Sequence, residues 1–245
     1  MILKAEAVVL KTFDFRETSK IVTFFTREFG KVKGLLKGIR KEPKKFGSVV
    51  NLGSLNEIVF YHKRNSDLHL VSQCDLKSDF LGIRKELKRS LVLSYVLEMI
   101  DCLMPVEDKN EEVFNLAVAC LNTLQGSSDP TKLIPIVQVK ILALSGFKPH
   151  FDSCLLCDKK ILSTAYLSHR LGGLLCLNCK GRDMASRQVL KGTIATIRHI
   201  EDQPWQNATR LGLNSSVKLE LKEILQDFLQ YHLERPLKTP QYLQV

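Results

Sequence analysis

The stretch CLLCDKKILSTAYLSHRLGGLLCLNC, residues 154–179, decides the organisation of this chain because it contains four cysteines in two close pairs. Each pair has the spacing Cys-x-x-Cys, and eighteen residues separate the two pairs. Two intervening residues let both sulfurs of a pair converge at about 2.3 Å on one tetrahedral ion, and this separation is typical of four-thiolate zinc sites. We therefore predict one structural zinc per chain, bound by Cys154, Cys157, Cys176 and Cys179.

Four protein ligands leave no open coordination position, so a zinc held in this way cannot activate water or polarise a substrate. His150 and His169 lie near the cysteines as alternative ligands, but four thiolates already suffice. The sequence contains no Walker loop, no G-x-G-x-x-G and no G-x-S-x-G motif, and the His-Leu-Glu triplet at 232–234 follows the cysteines, whereas a zinc deaminase requires it before them. We predict a binding protein that is not an enzyme.

The composition indicates a folded, basic protein. Hydrophobic residues make up 44% of the 245 residues, and 36 Lys and Arg against 26 Asp and Glu give a net charge of +10. This balance favours polyanionic partners, nucleic acid above all, although a merely soluble basic protein gives the same count. The sequence has neither the pattern of a signal peptide nor a run of about 20 apolar residues, so we expect a cytoplasmic protein without a membrane partner.

The cysteine usage fits the same compartment. Seven cysteines in a reducing environment are not expected to form disulfides. This favours zinc for the four paired cysteines and predicts that the others are small core residues: Cys74, Cys102 and Cys120.

The first part of the chain, up to about residue 78, has the pattern of β-strands. Five short runs rich in Val, Ile, Leu and Phe are separated by charged or glycine-containing segments. The runs are AEAVVL, SKIVTFF, KVKGLL, NEIVFYH and LHLVSQ. Five strands in fewer than about eighty residues predict a five-stranded OB-fold β-barrel, with an SH3-like barrel as the alternative.

From Ser78 onward the apolar residues recur at helical spacing. One helix is expected over 80–104, capped by Ser78 or Asp79 and ended by Pro105. The other predicted helices run after Asn110 to Gly126, after Pro130 to Gly146, over 186–201, and after Asn214 to Pro236.

The predicted fold class is therefore α+β and multi-domain. An N-terminal five-stranded OB-fold β-barrel is followed by an all-α helical domain with an inserted four-cysteine zinc knuckle module. The predicted domains are an OB-fold nucleic-acid-binding domain at 1–78, a first helical part at 79–149, the zinc module at 150–182 and a second helical part at 183–245.

The positive charge of the first domain is concentrated between Arg27 and Phe46, where eight cations stand against two acids. The segment GIRKEPKKFG at 38–47 has the composition of an exposed loop, and a basic loop beside a barrel face suits a phosphate backbone. The alternative is a solvated turn whose lysines prevent an edge strand from pairing. The candidate nucleic-acid-binding residues are Arg27, Lys31, Lys33, Lys37, Arg40, Lys41, Lys44 and Lys45.

Aromatic residues among these cations would indicate binding of single strands, since each unstacked base gains about 1 to 3 kcal/mol by stacking on an exposed ring. The candidates are Phe13, Phe15, Phe46 and Tyr61, although an aromatic residue in a strand more often belongs to the core. With no base-reading motif, the sequence predicts attachment to the backbone with little sequence preference and with affinity that falls steeply as salt increases.

Three stretches resemble the RecO family of bacterial recombination mediators. AVVLKTFDFRETSKIVTFFTREFGKVKGLLKGIRK is similar to the first strands and basic turn of that family. GFKPHFDSCLLC with GGLLCLNC resembles its zinc module, and FLQYHLERPLKTPQYL resembles its closing helix and tail. The likeness spans nearly the whole chain, although residues 80–135 match only in pattern.

The resemblance implies a non-enzymatic role in DNA repair, in the cytoplasm and at the nucleoid. RecO proteins bind single- and double-stranded DNA, anneal complementary strands, and with RecR help to load RecA onto single-stranded DNA coated by SSB. The candidate cations from Lys31 onward correspond to the basic barrel region of the family, and the four cysteines to its zinc ligands.

Family members also bind the acidic C-terminal tail of SSB on the helical domain. The segment RKELKR at 84–89 is a candidate neighbour of such a site, although a solvated helix face is the preferred interpretation. The alternative function is that of an RNA-binding or ribosome-associated OB-fold protein with a structural zinc.

Overall fold

The described residues group into two compact units. The first unit contains Met1–Thr131 together with the C-terminal segment from Leu237, and the second contains Lys132–Pro236. The predicted domain boundaries at 78, 149 and 182 stay predictions. The computed structural model describes four stretches of the chain: 1–41, 50–161, 164–233 and 235–243.

Five strands of the first unit close into a barrel in the order β1–β2–β3–β5–β4. Neighbouring strands are antiparallel except β3 and β5, which run parallel and complete the closure with β4 and β1. The predicted five-stranded OB-type barrel is confirmed. Its strands are β1 (Ile2–Phe15), β2 (Ser19–Thr26), β3 (Gly30–Leu36), β4 (Leu55–Tyr61) and β5 (Leu68–Ser78).

The interior of the barrel is apolar because alternate residues of each strand face inward. Phe24 and Phe60 are the largest of these side chains, and both are fully buried. Cys74 belongs to the same core, as predicted. The other core residues are Ala5, Ala7, Val9, Val22, Val32, Leu36, Ile39, Val50, Ile58 and Val71.

The other two cysteines outside the four-cysteine stretch differ from each other in burial. Cys120 is buried, and burial raises the pKa of its thiol to about 12, as expected for a core residue. Cys102 is only half-buried, so its predicted place in the core is wrong in part. It is the penultimate residue of the helix Leu87–Leu103.

Three helices follow the barrel in the first unit: α1 (Leu81–Arg84), α2 (Leu87–Leu103) and α3 (Glu111–Leu124). The C-terminal segment belongs to this unit as well. Glu98 of α2 accepts hydrogen bonds from the backbone N–H groups of Lys238 and Thr239, both at 2.9 Å. A carboxylate that accepts two backbone bonds fixes this segment against α2.

The single helix predicted over 80–104 is wrong, because the chain breaks between α1 and α2. Glu86 is extended, with φ −138° and ψ 131°, and its N–H donates to the carbonyl of Ile83 at 3.4 Å in place of that of Gly82. The carbonyl of Gly82 is thereby left free, and Arg89 of α2 donates to it at 3.1 Å. A long cation from the next helix replaces the lost backbone donor.

The second unit combines helices with a small sheet. α4, α5 and α7 pack against one another, and Ile141, Ile197 and Leu221 are among their buried residues. The sheet has the strand order β7–β6–β8. The elements are α4 (Leu133–Leu144), β6 (Ala165–Ser168), β7 (Gly173–Cys176), β8 (Arg187–Val189), α5 (Lys191–Asp202), α6 (Trp205–Ala208) and α7 (Ser215–His232).

Two predicted helix starts are confirmed by their caps. The side chain of Asn110 accepts from the N–H of Val113 at 3.0 Å, and that of Asn214 accepts from the N–H of Val217 at 2.8 Å. The helix predicted over 186–201 is shorter than expected, because its first residues form β8. Within the described residues, no helix is both long enough and apolar enough to cross a membrane.

Candidate nucleic-acid interface and metal centre

The outer surface of β1, β2 and β3 divides into a covered half and an exposed half. Directly paired residues of neighbouring strands share one face of a sheet, so the register identifies which side chains lie together. Phe25 of β2 pairs with Lys31 of β3, and its ring centroid lies 6.2 Å from that of Phe114 on α3. The half that contains Phe25 and Lys31 is therefore covered by helices.

Arg27 lies in the turn between β2 and β3 and bonds to the barrel and to α3. Its guanidinium donates to Glu6 Oε2 at 2.9 Å and to Asn115 Oδ1 at 2.6 Å. It also lies 4.7 Å from the centre of the Phe114 ring. Glu6 and Asn115 thus accept hydrogen bonds from the guanidinium of Arg27, which was a candidate nucleic-acid-binding residue. Through these contacts Arg27 connects the barrel to α3.

Lys31 has a similar position over α2. Its ammonium donates to the carbonyl of Asp101 at 2.6 Å and lies 3.6 Å from the Asp101 carboxylate, and its side chain is only 12% exposed. Lys11 binds the same carboxylate. A buried carboxylate requires such partners, so the charge of Lys31 compensates Asp101 and adds little to the outer surface.

The exposed half is centred on an apolar row. Phe13, Ile21 and Leu35 pair with one another across β1, β2 and β3. Phe13 is 59% exposed, and Ile21 and Leu35 are partly exposed. Lys33 precedes Leu35 by two residues, so it lies on the same face, and it is exposed.

More cations follow in the turn after β3. Lys37, Arg40 and Lys41 are exposed, and Arg40 lies 3.7 Å from Asp14. Lys33, Lys37 and Lys41 make no ion pair with any described residue. We call the following set the open face: Phe13, Ile21, Leu35, Lys33, Lys37 and Lys41.

The remaining aromatic and basic candidates are distributed differently. Tyr61 is exposed at the end of β4, and Phe15 is half-buried at the end of β1. Lys44, Lys45 and Phe46 lie outside the described residues.

The four cysteines of the second unit come together as the spacing predicts. All four Sγ atoms lie within 4.8 Å of one another, and those of Cys157 and Cys176 are 3.8 Å apart. A tetrahedral ion with sulfur bonds of about 2.3 Å requires sulfurs about 3.8 Å apart. The cluster is therefore able to hold a metal ion with ligands from both pairs.

Backbone N–H groups favour a thiolate at Cys154. Burial raises the pKa of this thiol, but the N–H groups of Cys176, Leu156 and Cys157 outweigh burial and lower the pKa to about 6. The side-chain hydrogen bond with Cys176 raises the pKa of Cys179 to about 12. The Cys154 sulfur is thus favoured as a thiolate, the form that binds a metal ion. The Cys179 thiol is favoured in its protonated form unless a bound cation offsets the negative charge of the neighbouring thiolates.

A hairpin positions the second cysteine pair. β6 and β7 pair as far as Ala165 and Cys176, so Cys176 ends its strand beside the sheet. Gly172 in the turn has φ +77°, and a Cβ at Gly173 would lie 2.9 Å from the Cβ of His150. The two glycines form this turn because one supplies the left-handed conformation and the other permits a close approach.

His150 orders the first pair through hydrogen bonds. Its Nε2 lies 2.8 Å from Ser153 Oγ, and that hydroxyl donates to Asp158 Oδ1 at 2.7 Å. The N–H of Asp158 in turn donates to the carbonyl of Cys154 at 2.8 Å. These polar groups fix the loop that presents Cys154, and the sequence alone did not indicate them.

The basic segment RKELKR at 84–89 is partly engaged within the first unit. Arg84 lies 2.8 Å from Asp79, and Arg89 donates to the carbonyl of Gln125 at 2.8 Å. Its two lysines are exposed: Lys85 and Lys88.

Sequence reasoning missed a second group of metal-ligating side chains. The ligand atoms of His62, His69 and Glu107 lie within 4.8 Å of one another. His62 ends one predicted strand run and His69 is the second residue of the next, and this proximity in the sequence was a visible signal. Glu107 could not be added from any local pattern, since it follows His69 by 38 residues.

Comparison with known proteins agrees with this architecture. A family model described as Recombination protein O N terminal matches residues 1–80, and one described as Recombination protein O C terminal matches residues 84–241. The DNA repair protein RecO of Pelotomaculum thermopropionicum is 31% identical over 240 residues, covering 98% of this chain and 93% of the relative. That of Caldicellulosiruptor saccharolyticus is 27% identical over 236 residues, covering 96% and 95%.

An OB-type barrel, a helical region with a four-cysteine cluster, and these matches together define a DNA repair protein. The N-terminal family model covers the barrel, and the C-terminal model covers the helices and all four cysteines. The chain belongs to the RecO family, and the resemblance seen in the sequence is confirmed.

Proposed function

We propose that this protein is a non-catalytic recombination mediator. It binds single- and double-stranded DNA, anneals complementary strands and, with a RecR partner, helps to load RecA onto single-stranded DNA coated by SSB. It acts in the cytoplasm at the nucleoid. The observation on which the proposal depends is the open face, where three cations without ion pairs among the described residues adjoin an exposed apolar row.

The open face offers both kinds of contact that a single strand can use. Phosphates bound by Lys33, Lys37 and Lys41 release condensed cations, and this release drives association at low salt. Unstacked bases can lie on Phe13 and its apolar neighbours. Because bound lysines also reduce repulsion between phosphate backbones, a second complementary strand can approach and pair.

The other candidate cations have different parts in this proposal. Arg40 and the two lysines of the basic segment predicted from the sequence, Lys44 and Lys45, add further phosphate contacts. Arg27 and Lys31 support the barrel from the covered half, since α3 and α2 already supply their partners.

The four cysteines bind one structural zinc in this proposal. Their donor set and sulfur separation fit the ion, and zinc prefers four thiolates in tetrahedral geometry. With every position taken by protein, the ion braces residues 150–182 and performs no chemistry on DNA. Elemental analysis should find one zinc per chain, and folded protein without metal would contradict this assignment.

The tail of SSB is the proposed partner of the helical domain. Leu87 is 74% exposed and lies between the exposed Lys85 and Lys88. An acidic peptide with apolar side chains requires both cations and an apolar surface, so this segment is a candidate contact. The RecR partnership rests on the family alone.

Annealing tests the proposal directly. Purified protein mixed with two complementary labelled oligonucleotides should bind each strand and accelerate duplex formation at moderate salt. The proposal fails if the protein neither retains the strands nor anneals them. Competition with RNA of matched sequence tests the alternative function, and stronger retention of RNA than of DNA would favour an RNA-binding role.

A further inference from the structure

The first unit contains two histidines and a glutamate that the proposed function does not use. His62 directly follows β4, His69 is the second residue of β5, and Glu107 lies in the connection between α2 and α3. The β4–β5 hairpin therefore supplies two imidazoles, and a distant part of the chain supplies one carboxylate.

The three side chains converge on one point. His69 Nε2 lies 2.7 Å from Glu107 Oε1, and His62 Nε2 lies 3.4 Å from the same oxygen. A tetrahedral transition-metal ion with nitrogen and oxygen bonds of about 2.0 to 2.1 Å requires ligand atoms about 3.4 Å apart. One distance already has this value, and the other needs to open by less than about 1 Å.

The two imidazoles are held by the barrel. His69 is 1% exposed, and its ring centroid lies 5.6 Å from that of the core residue Phe60. The ring of His62 lies 4.7 Å from that of His69, with a tilt of 31°. Both donors are thus oriented by packing before any ligand arrives, which lowers the entropic cost of binding.

The position of the Glu107 carboxylate is fixed by the backbone conformation and hydrogen bond of this residue. Glu107 has φ +56°, a conformation that non-glycine residues rarely adopt, and its N–H donates to the carbonyl of Lys31 at 3.0 Å. Gly30, which precedes Lys31 and begins β3, would place a Cβ 2.0 Å from the carbonyl oxygen of Asp108, so the start of β3 packs directly on the α2–α3 connection. The barrel thereby fixes the position of Glu107.

Without an ion, hydrogen bonds satisfy the cluster. The N–H of Lys63 donates to His69 Nδ1 at 3.2 Å, which assigns the ring proton to Nε2 and directs it toward Glu107. An ion bound at Nε2 shifts this proton to Nδ1 and requires the Lys63 amide, in an exposed turn, to rotate away. That rearrangement weakens binding and makes the ion exchangeable.

We propose that His62, His69 and Glu107 form a second metal site, for an exchangeable divalent transition-metal ion such as Zn²⁺, Co²⁺ or Ni²⁺. Two imidazoles and one carboxylate suit ions of this class. Three protein ligands leave an open position for water, and the 43% exposure of Glu107 gives the ion access to solvent. The ion ties the β4–β5 hairpin to the α2–α3 connection and raises the thermal stability of the first unit.

Cobalt titration of the full-length protein, purified with its own zinc, tests this site. Cobalt at the three ligands gives visible d–d absorption without the sulfur-to-cobalt charge-transfer band that thiolate ligands produce. We expect one such equivalent in the unmodified protein and at least tenfold weaker binding in His62→Phe and in Glu107→Gln. His199→Phe is the matched control, because His199 is exposed on α5. The affinity of this variant for cobalt should equal that of the unmodified protein.

The proposal is overturned by any of three results of the titration. These are cobalt absorption that comes from thiolate-bound cobalt alone, equal cobalt affinity in all variants, and no rise in unfolding temperature with cobalt. Circular dichroism checks that each variant is folded. A measurement on the unmodified protein is independent of the variants: titration with Zn²⁺ should move the proton of His69 from Nε2 to Nδ1, seen in the ring nitrogen chemical shifts. An unchanged tautomer would exclude His69 as a ligand. DNA binding is not a readout here, so this test and that of the proposed function can fail separately.

Discussion

The barrel and the four-cysteine module both gather groups of like charge, but they compensate that charge in different ways. On the covered half of the barrel, Lys11 and Lys31 flank the buried carboxylate of Asp101, so the protein supplies its own counter-charge. In the cysteine module, four sulfurs lie within 4.8 Å and the proposed counter-charge is an ion from solution. The barrel is therefore expected to fold without metal and to keep its open face available, whereas the module depends on its ion.

Removing a thiolate should have the largest effect. Cys154→Ser or Cys179→Ser leaves three protein ligands, so zinc is lost and the structure near residues 150–182 is destabilised by several kcal/mol. Hydrogen exchange and zinc analysis measure both consequences. Cys102→Ser is the control and should keep its zinc. If the barrel lost its protection from hydrogen exchange together with the module, the two regions would not differ in their dependence on metal.

A cavity in the barrel core should come next. Phe24→Ala removes a fully buried ring and should cost about 3 to 5 kcal/mol in the free energy of unfolding, measured by denaturant titration, while zinc content stays at one per chain. The exposed Phe13→Ala on the same barrel should change stability by less than about 0.5 kcal/mol. Loss of zinc in Phe24→Ala would mean that the barrel and the module are not independently stabilised.

Breaking the internal counter-charge should have an intermediate effect. Asp101→Asn leaves the mostly buried ammonium of Lys31 without its carboxylate, so we expect a loss of about 2 to 3 kcal/mol in the free energy of unfolding. Asp75→Asn, at a half-exposed position of β5, serves as the control and should be nearly neutral. Equal stability of the two variants would show that the ion pairs of the covered half contribute nothing.

A smaller effect is expected for base stacking on the open face. Phe13→Ala should weaken the binding of single-stranded DNA by about 1 kcal/mol and leave duplex binding nearly unchanged, because paired bases cannot stack on the ring. Fluorescence anisotropy with both substrates measures the difference. Tyr242→Ala, another exposed aromatic of the first unit, should alter neither affinity. An equal loss for both substrates would indicate that Phe13 acts only on the fold.

The smallest effect concerns two histidines of the second unit. Burial lowers the pKa of His169 and of His232, and the ring nitrogens of His169 have no hydrogen-bond partner among the described residues. Asp227 and Asp183 raise the pKa of His169, and Arg187 lowers it, but burial is the largest influence.

The sign of the pH dependence follows from these shifts. The unfolded chain binds protons near the usual histidine pKa of about 6.5, and the folded unit binds them only at lower pH. The free energy of unfolding of the second unit is therefore highest above about pH 6.5. It decreases as the pH falls from there through the lowered pKa values of the folded histidines. His169→Phe should flatten this slope in denaturant titrations with zinc retained, and His199→Phe should leave it unchanged. A slope that His169→Phe does not alter would assign the effect to other groups.

Features set by neighbouring residues were predictable from the sequence. The caps at Asn110 and Asn214, the Gly172–Gly173 turn and the meeting of the four cysteines all depend on short spacings. The five apolar runs likewise predicted the barrel.

Features set by distant partners were not predictable. The break between α1 and α2 depends on contacts such as that of Arg89 with Gln125, which is 36 residues away. Arg27 and Lys31 have the same local pattern as the exposed lysines, and only contacts with Asn115 and Asp101, 88 and 70 residues away, distinguish them. The three residues of β8 are too few to show a strand period, so the sequence predicts a helix over them.

The dependence of single-stranded DNA affinity on salt tests the central claim most directly. A variant with Lys33→Glu, Lys37→Glu and Lys41→Glu is compared with Lys85→Glu, Lys88→Glu and Arg210→Glu, which changes the net charge equally at exposed positions elsewhere. If the open face binds phosphates, the first variant should lower the slope of log K against log salt by about 2, because each lost contact contributes about 0.7. The second should keep the slope of the unmodified protein. Equal slopes in both variants would contradict the account.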